Sequence, residues 1–256
     1  MSLVSFESKN NISYIHFNRP ERYNALNKEM LKELLKAVEK AEQNEDQILI
    51  LSGEGNAFCA GGDISMMKDF SEKKFFDEVM DTIGKIALKL YRLPKIVVSA
   101  IQGSAVGLGL SLALCADYVI AQNDAKLGML FIGIGLAPDG GGHFWLQERI
   151  GTQKAKAFTW GLKQVEGAKA KQMGLVDMIT DEKVGDFAKG FADKLLTTPI
   201  IAMLKTKQIY HAAKEKDLIY YLEEEKKAQW ELRGTEDHKE GVAAFLEKRK
   251  PVFKGK

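Results

Sequence analysis

Along this chain the spacing of apolar positions changes repeatedly, and each change marks an element. Within residues 28–43, Leu31, Leu34, Leu35, Val38 and Ala41 share one face of a 3.6-residue period while charged residues fill the other. That pattern predicts an amphipathic helix, with Asn27 placed to cap its first turn. Residues 75–93 read as a second helix that stops before Pro94. Residues 13–17, 48–51, 95–100, 118–121 and 175–179 are short apolar runs of strand length. Residues 108–115 are apolar enough for a buried helix, and residues 141–149 predict another that ends at Gly151. From residue 182 onward the period is helical throughout: 186–196, 200–213, 218–232 and 236–250. Strands alternating with helices, then helices alone, predict an α/β core followed by a helical section. The boundary is set near Thr198-Pro199, giving units of 1–197 and 198–256.

Three glycine-rich segments stand apart from this pattern: FCAGGD (58–63), GSAVGLGLSLALCAD (103–117) and IGLAPDGGG (134–142). Glycine lets a ligand approach the backbone, and helix starts leave N–H groups free. Two such places brought together make an oxyanion hole for a carbonyl compound. The third segment adds an ionisable side chain, Asp139. Read alone, Asp139 is either an acid/base group or a turn or cap residue, since Pro-Asp-Gly is common turn chemistry.

Composition removes several classes. At 256 residues the chain buries a sizeable core. A net charge of +2 gives no global case for nucleic acid. The longest apolar stretch, 105–116, is too short for a bilayer. No apolar signal core follows the start, and the two cysteines, Cys59 and Cys115, form no disulfide framework. A cytoplasmic protein with reduced thiols is the expectation. Segment 103–109 spaces its glycines as GxxxGxG rather than GxGxxG, and no GxxxxGK[ST] occurs, which argues against NAD or ATP. No His/Cys cluster has metal-ligand spacing. His143 reads as a helix-surface or core residue, and the Lys/Glu alternation at 223–227 as a solvated helix face.

Segments 18–27 (NRPERYNALN), 50–64, 94–121, 127–142, 170–177 and 240–253 together resemble the crotonase, or enoyl-CoA hydratase/isomerase, superfamily over nearly the whole chain. The resemblance implies a spiral of ββα units with a helical C-terminal trimerisation region, forming homotrimers or homohexamers. It implies an acyl-CoA ligand, with coenzyme A as part of the substrate and no separate cofactor or metal. By position, the N–H groups of Ala60 and Leu108 would form the oxyanion hole. Arg22, Asn24, Ala25, Leu26, Gly61, Gly62, Asp63 and Ile64 would line the CoA path, and Phe245 and Lys248 would lie near the CoA. Met67, Phe131 and Trp145, with Met66, would wall the acyl site and keep water out.

The resemblance also locates a departure. Hydratases of the family hold water between two glutamates; here those positions are Ser111 and Phe131, neither of which is a carboxylate. Members with an acid at the position of Asp139 resemble Δ3,Δ2-enoyl-CoA isomerases and the ring-epoxide isomerases of phenylacetate degradation. The expectation is an acyl-CoA isomerase with Asp139 as the acid/base. A hydratase with a non-standard site and a non-catalytic CoA-binding protein are the alternatives. A dehalogenase is disfavoured, because residues 64–93 hold no histidine base.

Overall fold

The structure is a computed structural model that describes residues 2–67 and 69–256. A six-stranded sheet runs in the order β1 (Val4–Lys9), β2 (Ile12–Phe17), β3 (Ile48–Gly53), β4 (Ile96–Ile101), β6 (Tyr118–Gln122) and β9 (Met178–Thr180). The β1–β2 pair is antiparallel and the other pairs are parallel. A small sheet joins β5 (Ser104–Val106), β7 (Lys126–Gly128) and β8 (Val165–Glu166).

Both faces of the central strands are buried, which explains their unbroken apolar runs. In β3, Leu49 and Leu51 face the larger core while Ile48 and Ile50 face the smaller one; in β4, Val97 and Ile101 oppose Ile96, Val98 and Ala100 in the same way. The larger core is closed by α1 (Lys28–Gln43), α2 (Lys73–Arg92), α3 (Leu108–Leu114) and α4 (Gly142–Ile150). Two further helices, α5 (Thr152–Trp160) and α6 (Gly167–Met173), follow. The smaller core is closed by α7 (Val184–Leu196) through Val184, Ala188, Ala192 and Leu195. Asn27 caps α1 as its position predicts: its side chain accepts from the Met30 N–H at 2.8 Å, worth about 1 kcal/mol.

The C-terminal section differs from its sequence pattern. The two helices expected at 200–213 and 218–232 are one helix, α8 (Ile200–Leu232). The intervening Lys-Glu-Lys-Asp is polar but holds neither glycine nor proline, so nothing breaks the backbone ladder. Helix α9 (Glu236–Leu246) is shorter than expected, and Lys248 beyond it takes φ +54°. Helix α8 packs on α2 and α4, and α9 packs on a 3-10 turn at Leu130–Ile134. These contacts bring C-terminal residues to the site.

Candidate active site

The first two glycine segments meet edge to edge. The Cys59 N–H donates to Ser104 O at 3.0 Å, and the Val106 N–H returns to Cys59 O at 3.0 Å. Gly61 sits at φ +96°, and a Cβ placed on it would stand 2.7 Å from Val106 O and 3.6 Å from Leu108 N. Both the conformation and the close approach therefore require glycine. Beside this contact opens a cavity of about 670 Å³.

Asp139 lines the cavity together with Ile83, Leu108 and Phe131. The segment that carries it is held from behind by α8. Gln229 donates from Nε2 to Ala137 O at 2.6 Å and to Asp139 Oδ2 at 3.3 Å. The buried Glu225 accepts from the Gly141 N–H at 2.7 Å, the His143 N–H at 3.0 Å and His143 Nδ1 at 2.8 Å. Glu225 therefore caps the start of α4, a duty the sequence pattern offered to Asp139. Asp139 makes no side-chain cap there. Its Oδ1 is buried without a hydrogen-bond partner. Burial, and after it the charge of Glu225, push its carboxyl well above the ordinary carboxylate range. An unpaired buried charge costs several kcal/mol, so such a group holds its proton to higher pH instead.

Of the residues singled out in the sequence, Asp139, Ala60, Leu108, Arg22, Ala25, Gly61, Gly62, Asp63, Ile64, Met67, Phe131 and Phe245 all line this cavity. Four do not. Asn24 is fully buried at φ +56°, where its side chain accepts from the Arg19 N–H at 2.8 Å and donates to Ala57 O at 2.8 Å. Leu26 is buried in the core and reaches the loop only by its backbone, donating to Gly61 O at 2.8 Å. Trp145 lines a different cavity and braces the turn from behind, its Nε1–H donating to Gly140 O at 2.9 Å. Lys248 lies outside the cavity lining.

One backbone assignment changes. The Ala60 N–H donates to Tyr23 O at 2.9 Å and is not free. Where the loops meet, the N–H groups of Gly62 and Leu108 have no backbone acceptor. Gly62 is paired with Leu26 in a way that engages only its neighbours, Gly61 O and the Asp63 N–H. Leu108 is the first residue of α3, where no intrahelical acceptor exists.

Ser111 is buried behind the wall, with its Oγ 3.9 Å from the Met129 sulfur, while Phe131 faces the cavity. Met129 is likewise core rather than lining. Much of the remaining wall is apolar, with Met66, Phe70, Val79 and Met80 among it. At the rim, Arg19 pairs with Asp63 at 2.6 Å. Burial raises the Asp63 carboxyl, but the Arg19 guanidinium and the Ser65 N–H outweigh it and hold it below its usual value. Sequence reasoning missed Gln229, Glu225 and Arg19. The reading of 223–227 as a solvated face fails at Glu225, which turns inward.

A buried carboxyl and free N–H donors lining one cavity are groups that could serve enolate chemistry on a carbonyl compound. Residues 7–256 match the enoyl-CoA hydratase/isomerase family profile. YhaR of Bacillus subtilis, described under the same family heading, is 45% identical over 99% of both chains. The 1,2-epoxyphenylacetyl-CoA isomerase of Escherichia coli is 31% identical over 100% of both. The crystal structure of an enoyl-CoA hydratase from Mycobacterium avium subsp. paratuberculosis superposes with a TM-score of 0.90 at 27% identity, covering 99% of both chains. The chain belongs to the enoyl-CoA hydratase/isomerase family and has the crotonase fold.

Proposed function

We propose that this protein is an acyl-CoA isomerase that moves a double bond, or rearranges a ring acyl-CoA, with Asp139 as the acid/base. The observation that carries the reading is Asp139, a buried carboxyl on a residue that lines the cavity, with Oδ1 unpartnered. Among the described residues, two other acids line the cavity: Glu21 is exposed, and Asp63 is neutralised by Arg19. With Ser111 and Phe131 at the positions of the hydratase glutamates, one carboxylate remains to handle protons. One suffices for a 1,3-shift.

For a 3-enoyl thioester, the ionised Asp139 takes a proton from C2. The C–H electron pair delocalises onto the thioester oxygen, which accepts from the N–H groups of Gly62 and Leu108. Each such donor is worth about 3–4 kcal/mol in the transition state. Asp139 then returns the proton to C4, and the C3=C4 double bond becomes C2=C3. The base is regenerated, and no cofactor beyond the CoA of the substrate is consumed. Desolvation supports the assignment, because a carboxyl pushed upward comes closer to neutrality, where an acid/base group works in both directions. Phe131, Met66 and Met67 exclude the water that hydration needs.

The test offers a trans-3-enoyl-CoA and follows the conjugated 2-enoyl thioester with wild type and Asp139→Asn. Conjugation by wild type and its loss by at least ~100-fold in the variant are expected. Full activity in Asp139→Asn, or hydration of a 2-enoyl-CoA with no conjugation, would overturn the reading. The same reading includes assembly into homotrimers or homohexamers, supported by Ile201, Ile209, Tyr210 and Tyr220 standing exposed on α8.

A further inference from the structure

Gln229 is a buried amide on α8, ninety residues from Asp139 in sequence and in hydrogen-bond contact with it. Its orientation is set by chemistry. Ala137 O is a carbonyl and only accepts, so the side-chain nitrogen must face it at 2.6 Å. The same nitrogen then offers its second hydrogen to Asp139 Oδ2. One amide group thus holds both the backbone two residues before the acid and one oxygen of the acid itself. The other oxygen, Oδ1, has no partner.

We propose that Gln229 is a positioning residue for proton transfer: its amide holds the Asp139 carboxyl through Oδ2 in one orientation. The inference rests on Asp139 being the acid/base. A freely rotating carboxyl in an apolar wall could bind the proton out of reach of the substrate. With Oδ2 held, the carboxyl that takes the proton from C2 stays in the orientation from which it must deliver it to C4. The bond also stabilises the ionised form, and so opposes the two influences that favour the neutral acid.

The surroundings leave few other groups able to do this. Around the cavity, α2 presents Val79, Met80 and Ile83, and α3 presents Leu108, all apolar. The charge that bears on Asp139 is Glu225, four residues before Gln229 on α8. Glu225 is itself occupied by the Gly141 and His143 N–H groups and the His143 ring, 2.8 Å away. Glu225 therefore sets the turn and Gln229 sets the acid, one helical turn apart on the same face.

The test reads the Asp139 proton directly. Above pH 6 ordinary carboxyls are ionised, so the infrared band of a protonated carboxyl that vanishes in Asp139→Asn reports Asp139 alone. Gln229→Met keeps the length and removes the donor; Gln229→Leu removes it with a branched apolar side chain, and neither adds a carboxyl. In both, the titration midpoint of the band is expected to rise, by about one to two pH units for the lost charge-assisted bond. Turnover is expected to show kcat lowered by roughly 10-fold or more with KM little changed, the signature of a group acting after binding. An unmoved midpoint in both variants, or an unchanged kcat, would overturn the proposal. Because the titration needs no turnover, failure here is distinct from failure of the isomerase reading, which Asp139→Asn activity reports separately.

Discussion

The fold buries one carboxyl, Asp139, in a wall that disfavours its charge. Asp139 is held above its usual range by burial first and Glu225 second. Between the unfolded value near ~3.9 and its folded value, the folded chain binds the extra proton. Stability therefore falls as pH rises through that window and stays lost above it, at about 1.4 kcal/mol per unit spanned. Asp139→Asn abolishes the window while keeping an acceptor for Gln229. Thermal denaturation is expected to show the variant more stable than wild type at pH 8, by about 3–6 °C, and the gap to close near pH 4. An equal or lower Tm at pH 8 would mean that Asp139 is solvated or paired. Legibility in the sequence was uneven at this scale. The lone carboxylate before the triple glycine, and the missing partners at Ser111 and Phe131, follow from residue types. Which glycine-loop N–H is free does not: Ala60 loses its donor to Tyr23 O, a partner 37 positions away, and Gly62 keeps its own. Gln229 and Glu225 were hidden for a related reason. On a mostly polar helix, residue type does not say which polar side chain turns inward.

Elements show the same division between local and distant causes. Helix α1 was legible to its ends because its cap and apolar stripe are both local. The central strands were legible as short apolar runs, buried on both faces. Strand β1 was not, because it is an edge strand whose middle and end are largely exposed, leaving no alternation to read. The small sheet escaped because its strands are two or three residues long. The sequence pattern divides α8 into two helices, although continuity is what lets it reach from the smaller core to the Asp139 turn. Its exposed Ile201, Ile209, Tyr210 and Tyr220 argue for copies of the chain covering one another. Sedimentation is expected to give three or six times the 28.5 kDa of one chain, and Ile209→Asp with Tyr210→Asp to shift the population towards smaller species. A wild-type mass of one chain would contradict the proposed assembly.

For the whole molecule, the order of the elements explains the site. The sheet carries β3 and β4 to adjacent ends, from which the two glycine loops leave and pair. The chain then returns through the Asp139 turn, and α8 comes back to brace it. Four distant stretches thus meet around a largely apolar cavity whose buried carboxyl, among the described residues, is Asp139. That arrangement predicts a proton that stays within the site during the shift. The decisive measurement is the fate of deuterium in a [2-2H]-3-enoyl-CoA turned over in ordinary water containing 18O. One water-excluded carboxylate predicts conjugated product with part of the label carried to C4 and no 18O at C3. Product with 18O at C3, and no deuterium at C4, would contradict the account, because it would mean that water rather than Asp139 completes the reaction.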